Sequence, residues 1–252
     1  MNLYIKKKIT KIHGTSSVEI EDYIAVEKKL KVSVDGKEII SLYCTPIMIK
    51  ELLTGLFLTE GVSTNKISLE EMKIAYGEDI SVDIPSGAGI ITEKLETARC
   101  LGGATLNKKR NFEKTKDNFS IKIETFKAVF KEFQQKSELF RLTGCFHSAA
   151  LSDGEKIIAF AEDIGRHNAV DKVIGYSLIK DIPFSEKLML VSCRLSSEII
   201  SKCSRWGIPI VASGAAPTDL AIEIAEKSGI TLIGFVRGDR LNVYTNPQRI
   251  LS

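Results

Sequence analysis

One short segment in the second half of the chain concentrates side chains that could bind a ligand or move a proton. Glu162, Asp163, Arg166, His167 and Asn168 fall within seven residues. An apolar run precedes the segment, and apolar residues at helical spacing follow it. The first N–H groups of a helix lack backbone partners, so strand-to-helix turns often bind ligands in α/β proteins. An ordinary turn with Asn168 as the helix N-cap is the alternative.

The elements around this segment predict a parallel sheet. Apolar runs at residues 188–191, 208–211 and 230–235 alternate with helical patterns at residues 196–206 and 217–228. This alternation is typical of parallel strands covered by helices. Ligands of such sheets bind beyond the carboxyl ends of the strands, so the residues that follow each run are candidates for a binding site.

The segments after these strands are small, hydroxylated or cationic. They are residues 192–196, 213–218 and 237–240, and together with residues 165–168 they carry four arginines. Arginine pairs with phosphate through charge-assisted, often bidentate hydrogen bonds, so a crevice with several arginines suits a pyrophosphate or a nucleotide. For any one of these arginines, the alternative is a surface ion pair that adds little stability.

Cysteine is the second chemical theme of the chain. Cys100 stands between Arg99 and a Gly-Gly pair, and neighbouring cations raise the thiolate fraction of a thiol. The setting suits a nucleophile that accepts and passes on sulfur, with an incidental loop cysteine as the alternative. Cys145 and Cys193 are weaker candidates. No C-x-x-C pair occurs, and His147 does not begin an H-x-E element, so no metal site is expected.

Composition narrows the class of protein. The chain has 252 residues, of which 44% are hydrophobic and 27% charged, and a net charge of +3. This charge is too small to indicate nucleic-acid binding by itself. Five scattered cysteines indicate free thiols in a reducing compartment, with Cys44 and Cys203 as packing residues. No apolar run reaches membrane-spanning length, so a soluble cytoplasmic protein without membrane contact is predicted.

Three parts of the chain are predicted. Residues 1–106 form a smaller β-rich α+β domain, with a hairpin turn at Asp35-Gly36 and a helix that has Thr45 as N-cap, Pro46 at its first position and Gly61 at its end. Residues 107–118 form a basic, mobile linker. Residues 119–252 form an α/β domain, whose first helix carries an aromatic stripe that faces the core.

Six motifs in this order resemble the FdhD family, the sulfur carriers (sulfurtransferases) required for formate dehydrogenase activity. A helix at residues 51–61 is also similar, so the resemblance covers most of the chain. The motifs are Thr143-Gly144-x-x-His147-x-Ala149, residues 162–172, Ser192-x-Arg194-x-Ser196-x-Glu198, Gly207-Ile208-Pro209, Ala216-Pro217-Thr218 and Gly234-Phe235-x-Arg237-Gly238.

The resemblance implies a fold, a reaction and partners. The fold is α/β, with a cytidine-deaminase-like three-layer core that lacks zinc chemistry, beside the N-terminal domain. The protein would be a homodimer that passes persulfide sulfur from a cysteine desulfurase to the molybdenum of the bis(molybdopterin guanine dinucleotide) cofactor. This transfer matures formate dehydrogenase. A chaperone that delivers the cofactor without sulfur transfer is the alternative.

The resemblance also assigns residues. Cys100 would carry the persulfide, although Gly103 stands where the family has a second loop cysteine, and Cys145 and Cys193 stand where glycine is expected. His167 would assist proton movement or bind a phosphate. The cofactor-binding residues implied by the resemblance and the strand ends are Gly165, Arg166, His167, Asn168, Ser192, Arg194, Ser213, Thr218, Phe235, Val236, Arg237, Gly238, Asp239 and Arg240.

A third function class uses different residues of the same segments. A nucleotide hydrolase or deaminase would employ His147 with the carboxylates of Glu162 and Asp163. Its signature would be turnover of free guanine nucleotides.

Overall fold

The computed structural model describes residues 1–63, 71–86, 115 and 117–252. Cys100, Gly103 and most of the predicted linker 107–118 lie outside these residues. In the described part of the chain, no helix is long and apolar enough to cross a membrane.

A long two-stranded hairpin opens the chain, although no element is predicted there from the sequence. Strand β1 (Tyr4–His13) is antiparallel to β2 (Ser16–Ala25). The register places the pairs Ile5–Ile24 and Ile9–Ile20 on one face of this hairpin. The two strands form a separate sheet.

The rest of the N-terminal part is a four-stranded sheet with one helix. Its elements are β3 (Lys28–Val34), β4 (Lys37–Cys44), α1 (Ile49–Thr59), β5 (Lys73–Tyr76) and β6 (Ile80–Ile84). The strand order is β4-β3-β6-β5. The predicted hairpin turn at Asp35-Gly36 is confirmed, and both residues have positive φ, as a tight hairpin turn requires.

The start of α1 differs from the prediction that Thr45 is its N-cap. The helix begins at Ile49 with Met48 as N-cap, and it has no side-chain cap. Thr45 bonds to another part of the chain instead: its backbone N–H donates to Asp163 Oδ2 over 3.1 Å, and its Oγ1 accepts from the Ile164 N–H over 3.1 Å. The Thr45 hydroxyl, which the local pattern assigned to the helix N-cap, thus accepts a hydrogen bond from a distant segment of the chain instead.

The second half of the chain contains the main sheet and its helices. Its elements are β7 (Ile121–Lys122), α2 (Ile123–Lys136), α3 (Glu138–Thr143), β8 (His147–Ser152), β9 (Ile157–Asp163), α4 (Arg166–Ile179), β10 (Leu188–Val191), α5 (Ser197–Arg205), β11 (Ile210–Ser213), α6 (Asp219–Ser228), β12 (Thr231–Arg237), β13 (Arg240–Thr245) and β14 (Ile250–Leu251). A 3₁₀ turn at Pro247–Arg249 precedes β14, which pairs in parallel with β7.

The main sheet is mixed, with the strand order β13-β12-β11-β10-β8-β9. The three apolar runs form adjacent parallel strands, β10, β11 and β12, as predicted. The hairpin β8–β9 and the last strand β13 extend the sheet with antiparallel pairs.

Helices cover both faces of this sheet, which gives three layers. Buried residues of α4, α5 and α6 pack against one face. The aromatic stripe of α2 packs against the other face, and its predicted place in the core is confirmed. The architecture is therefore mixed α/β, and the likeness to cytidine deaminases stays a prediction.

Helix α1 packs directly on α4 because both helices carry glycine at their contact. A Cβ added to Gly55 would lie 1.9 Å from the carbonyl oxygen of Asp171, and one added to Gly175 would lie 1.8 Å from that of Glu51. Such spacing lets the two backbones touch. The N-terminal sheet and the main sheet are thus joined through a helix pair.

A buried charge network reinforces this contact between the two units. Lys202 Nζ lies 2.8 Å from both oxygens of Asp171, 2.9 Å from Glu60 Oε1 and 2.9 Å from Thr59 Oγ1. Burial opposes the charge of Lys202, but Asp171 and Glu60 together raise its pKa above the ordinary value. The lysine therefore stays charged and ties α5 to α4 and to the end of α1.

The described end of the predicted linker is held against the second unit. The Thr115 N–H donates to the Ser228 carbonyl over 2.9 Å. Asp117 Oδ2 accepts from the Glu186 N–H over 2.6 Å, and the Asp117 carbonyl accepts from Arg249 Nη2 over 2.9 Å. These bonds fix the point at which the chain enters α2.

Candidate functional site

The candidate site is one edge of the main sheet. The carboxyl ends of β9, β10, β11 and β12 lie at this edge, as do the starts of the antiparallel strands β8 and β13. His147 pairs with Asp163, and Arg237 pairs with Arg240, at the two ends of the edge. All four polar segments predicted from the sequence therefore follow strands that end on the same side.

The edge is too long to be one compact crevice. Four strand-to-strand steps separate β9 from β12, which at the usual strand spacing amounts to about 19 Å. Residues 165–168 follow β9 at one end, and residues 235–240 follow β12 near the other. Residues 192–194 follow β10, midway between them, and are linked to the first end by Ser192 Oγ, which lies 3.5 Å from His147 Nδ1. The structure thus divides the predicted arginine-rich crevice into two groups of residues.

At the first end, the imidazole of His147 lies near the Arg166 guanidinium and the Asp163 carboxylate. Ser192 Oγ is 3.5 Å from His147 Nδ1, and it accepts from the Ser148 N–H over 2.9 Å. Burial and the nearby positive charge of Arg166 lower the pKa of His147, so this imidazole is neutral at pH 7. Ser192 and Arg194 are exposed, so this end presents a hydroxyl and a guanidinium to a ligand.

The side chains of His167 and Asn168 are both bonded to other parts of the protein. His167 is 9% exposed, and its Nε2 lies 3.0 Å from Glu198 Oε2 on α5. Burial and the positive charge of Lys202 lower the pKa of His167 to about 4, against the opposing effect of Glu198. Asn168 Nδ2 donates to the Tyr43 carbonyl and to Asp163 Oδ1, each over 2.9 Å.

The alternative of Asn168 as N-cap is wrong, because α4 begins at Arg166 with Gly165 as N-cap. Asn168 instead joins the first turn of α4 to the end of β4. The amide N–H groups of Asn168 are used in these two bonds, which leaves its Oδ1 for any ligand. Cofactor contacts of His167 and Asn168 stay predictions.

The two carboxylates of the opening segment serve the fold. Lys172 Nζ lies 2.5 Å from Asp163 Oδ2, and both side chains are fully buried. Glu162 accepts from Ser137 Oγ over 2.5 Å and from the Phe140 N–H over 3.3 Å, at the start of α3. A hydrolase or deaminase that uses these carboxylates for proton transfer is not supported by this geometry.

Three of the four described cysteines are buried, which disfavours the reactive thiolate form. Burial raises the pKa of Cys44 to about 12 and that of Cys193 to about 11, and it also raises the pKa of Cys203. Cys145 is exposed just before β8. Burial thus favours a packing role for Cys193 over a role as sulfur relay, and Cys100 lies outside the described residues.

The middle of the edge is held together by its own hydrogen bonds. Ser213 is fully buried, and its Oγ donates to the Cys193 carbonyl over 2.7 Å. Thr218 is the N-cap of α6 and accepts from the Ala221 N–H over 3.3 Å. The side chains of Ser213 and Thr218 thus support the loops, and a direct role in binding a cofactor stays a prediction.

At the second end, β12 is irregular. Phe235 has a φ of +53°, in the left-handed region that disfavours side chains, and a bulge lies between Gly234 and Arg237. Arg237 is exposed, with its Nε donating to the Gly214 carbonyl over 3.3 Å, and the Arg240 guanidinium lies 5.7 Å from the centre of the Phe235 ring. Backbone strain of this kind concentrates at functional sites.

A pocket of about 530 Å³ lies beside this irregular segment, between α2 and the turn that joins β12 to β13. Lys127 Nζ lies 3.2 Å from Asp239 Oδ1 across it. The contribution of α2 was not predicted from the sequence, although its polar residues repeat at helical spacing beside the aromatic stripe. The pocket is lined by Lys127, Ala128, Phe130, Lys131, Gln134, Gln135, Val236, Gly238 and Asp239.

Over residues 1–63, 71–86, 115 and 117–252, no three His, Cys, Asp or Glu side chains are grouped so as to hold a metal ion.

The chain is similar to known proteins over nearly its whole length. It is 37% identical to "Sulfur carrier protein FdhD" of Bacillus pumilus (strain SAFR-032), with 99% of each chain covered. It is 36% identical to the protein of the same name from Sulfolobus acidocaldarius, with 97% of this chain and 98% of the other covered.

A solved structure is also similar. A crystal structure described as "a putative formate dehydrogenase accessory protein" from Desulfotalea psychrophila matches with a TM-score of 0.76 and 27% identity, over 99% of this chain and 100% of the other. The sequence profile of the FdhD/NarQ family matches residues 25–251. The chain therefore belongs to the FdhD/NarQ family.

Proposed function

We propose that this protein is a cytoplasmic sulfur carrier that takes persulfide sulfur from a cysteine desulfurase and passes it to molybdenum in the bis(molybdopterin guanine dinucleotide) cofactor. This transfer of sulfur to the cofactor matures formate dehydrogenase. The observation that carries the proposal is full-length similarity to relatives named as sulfur carriers, from Bacillus and from Sulfolobus. The exposed arginines at the sheet edge support it, because the cofactor is rich in phosphate.

The loading step is thiol exchange at Cys100. Its thiolate attacks the terminal sulfur of the desulfurase persulfide, a new S–S bond forms, and the desulfurase cysteine leaves as a thiolate. No net oxidation occurs in this exchange. A single cysteine suffices for it, so Gly103 in the place of the second loop cysteine does not prevent loading.

The delivery step transfers the outer sulfur from Cys100 to the metal. The S–S bond breaks, the proton of the persulfide passes to the cysteine sulfur, and Cys100 returns as a thiol. The transferred sulfur gains an electron pair as it becomes a sulfido ligand. A reduced molybdenum centre supplies that pair and is itself oxidised.

The two ends of the edge suit the two parts of such a ligand. Arg237 and Arg240 at the second end are exposed cations for the phosphates of the nucleotide. At the first end, Arg166, Arg194 and the neutral imidazole of His147 are placed to contact the part of the cofactor that lies beyond that nucleotide. Because about 19 Å separates β9 from β12, an elongated dinucleotide fits this edge better than a mononucleotide does.

Sulfur loading can be tested by mass. The full chain is incubated with a cysteine desulfurase and cysteine, and intact-mass spectrometry follows the gain of sulfur atoms. We expect one added sulfur in the wild type and none in Cys100→Ala, while Cys145→Ala loads normally as the matched control. Added sulfur that persists in Cys100→Ala would overturn the assignment of the carrier residue.

The alternative function is a chaperone that delivers the cofactor without carrying sulfur. The absence of the second loop cysteine from the sequence, where Gly103 stands instead, favours it. A chaperone would bind guanine nucleotide but gain no sulfur in the mass experiment.

We further propose a homodimer, for which analytical ultracentrifugation of the full chain should give twice the monomer mass.

A further inference from the structure

We propose that the outer edge of β1 docks a partner protein by taking up an acidic, extended segment of that partner as an added β-strand. Strand β1 is the first strand of the N-terminal hairpin, and its outer edge is the side that faces away from β2. The inference goes beyond the proposed function and does not rest on it. The FdhD/NarQ profile matches residues 25–251, so nearly all of this hairpin precedes the matched part of the chain.

One side of β1 is open to a further strand. Strand β1 pairs with β2 over its whole length, and the two strands form a sheet of their own. In the described part of the chain, no strand lies on the outer side of β1, whereas β2 has α3 near it. An open edge of this kind is a template on which another chain can add a strand.

The turn of the hairpin decides which backbone groups of β1 face outwards. The pair His13–Ser16 closes a two-residue turn, and the closing residues of such a turn bond to each other. Because bonded and non-bonded pairs alternate along an antiparallel ladder, the N–H and C=O groups of Lys6, Lys8 and Thr10 point away from β2. These are groups to which an added strand would bond.

The charges of the hairpin are divided between its strands. Strand β1 carries four lysines and no carboxylate, and β2 carries three carboxylates and no lysine. The register sets Lys7 opposite Asp22 and Lys8 opposite Glu21. Opposite charges directly across a sheet are favourable, so β2 itself shows that β1 pairs with an acidic strand.

The lysines of β1 are available to a second neighbour. Side chains alternate along a strand, so Lys6 and Lys8 lie on one face of the hairpin, and Lys7 and Lys11 lie on the other. All four are exposed, and Lys11 stands opposite Val18 rather than a carboxylate. An acidic strand at the outer edge would therefore meet lysines on both faces of the sheet.

Exposed apolar side chains also favour a partner at this edge. A two-stranded hairpin is at best marginally stable by itself in water, and a third strand would stabilise it. Tyr4, Ile5 and Ile12 of β1 are 38%, 40% and 71% exposed, so an added strand would cover apolar surface together with the lysines. The segment that fits the edge therefore combines carboxylates with aliphatic side chains.

A second copy of this chain fits the edge less well than a different protein does. A two-fold axis at the edge would set β1 against β1, and like charges directly opposite each other are destabilising. A β2 strand of another copy has suitable charges, but that contact is head-to-tail and leads to rings or open chains, not to the two-fold dimer proposed above. The carboxylates of β2 beside the lysines also disfavour a nucleic acid.

Fluorescence anisotropy with two labelled peptides of the length of β1 tests the inference on the full chain. One peptide alternates glutamate with valine, and the other alternates lysine with valine. We expect the acidic peptide to bind at least about tenfold more tightly, which corresponds to a few cross-strand charge pairs. The double variant Lys8→Gln with Lys11→Gln should bind the acidic peptide about tenfold more weakly than the wild type. The matched control, Lys156→Gln with Lys180→Gln, changes two exposed lysines of the second unit and should leave the affinity unchanged.

Hydrogen exchange followed by NMR separates an added strand from a simple attraction of charges. With the acidic peptide bound, the N–H groups of Lys6, Lys8 and Thr10 should gain protection, because they would then bond to the peptide. Unchanged exchange at the inward N–H groups of β1 in the double variant shows that its hairpin is intact.

Three results would overturn the inference. They are equal binding of the two peptides, no binding of either, and binding of the acidic peptide without protection of Lys6, Lys8 and Thr10. A change of oligomeric state between the wild type and the double variant in analytical ultracentrifugation would also overturn it, since the edge would then join copies of this chain.

Discussion

Gly55 of α1 lies against the backbone carbonyl of Asp171 in α4 so closely that a Cβ at position 55 would be 1.9 Å from the carbonyl oxygen. Asp171 is also the residue that holds Lys202 in the buried charge network. Because α4 begins at Arg166, this contact fixes the helix whose first residues lie at the candidate site. The described part of the N-terminal unit therefore positions α4, through Gly55 and through Thr45, whose Oγ1 accepts from the Ile164 N–H.

The first prediction concerns this contact. Gly55→Ala inserts a methyl group where backbone atoms already stand, so α1 and α4 must separate. We expect a loss of about 3 kcal/mol in the free energy of unfolding. Urea denaturation followed by circular dichroism measures it. Gly77→Ala is the control, because its added Cβ would meet nothing closer than 3.5 Å, and an equal loss in both variants would contradict the explanation.

The second prediction is a pH dependence caused by His167. Its pKa is about 4 in the folded protein and near 6.5 when exposed, so between these values the unfolded chain binds the extra proton. The stabilisation is therefore complete above pH 6.5 and is lost as the pH falls to about 4, by the order of 3 kcal/mol. His147, whose pKa is also lowered, contributes with the same sign.

His167→Gln tests this dependence, because glutamine can still donate to Glu198 but does not titrate. Urea unfolding at pH 7 and at pH 5 should show a much smaller difference for this variant than for the wild type. His147→Gln should reduce the difference less, because His147 is less buried. A wild-type slope that survives in His167→Gln would refute the assignment.

Local patterns predicted the elements of the second half well. The phenylalanine stripe of α2 and the three apolar runs of the sheet depend on neighbours within a few residues, so periodicity alone locates them. The same patterns failed for Thr45, because its partners Asp163 and Ile164 lie more than a hundred residues away. A hydroxyl that suits a helix N-cap suits any nearby carboxylate or N–H equally well.

The site was only partly predictable for the same reason. The four strand ends could be placed on one edge because parallel strands share a direction. Their division into two groups depends on the strand order, which the sequence pattern does not specify. The pocket brings together Lys127 and Asp239, which are 112 residues apart in the sequence. The positive φ of Phe235 cannot be predicted from its residue type.

The third prediction separates structure from binding at Asn168. Its amide joins Asp163 to the Tyr43 carbonyl, so Asn168→Ala leaves two polar partners without their donor. We expect the free energy of unfolding to fall by about 2 kcal/mol, with GDP affinity unchanged. Chemical denaturation and calorimetry measure the two quantities. Asn118→Ala, at an exposed position, serves as the control, and a loss of GDP affinity without loss of stability would favour a direct role in binding.

The fourth prediction concerns thiol reactivity. In Cys100→Ala, iodoacetamide at pH 7 should modify Cys145 rapidly and leave Cys44, Cys193 and Cys203 intact, because burial keeps these three protonated and inaccessible. Peptide mass spectrometry identifies the labelled positions. In urea all four should react, which confirms that folding protects them. Rapid labelling of Cys193 in the folded protein would show that the first end of the edge opens to solvent.

The fifth prediction uses the length of the edge. GDP is too short to span the roughly 19 Å between β12 and β9, so it can engage the arginines of only one end. Arg237→Ala should therefore weaken GDP binding about tenfold, whereas Arg166→Ala should leave it unchanged. Raising the salt concentration should weaken the wild type more than Arg237→Ala, because the variant has one phosphate contact fewer to screen. Equal losses in both variants would mean that the two ends converge on one nucleotide, and the division of the edge into two groups would then be wrong.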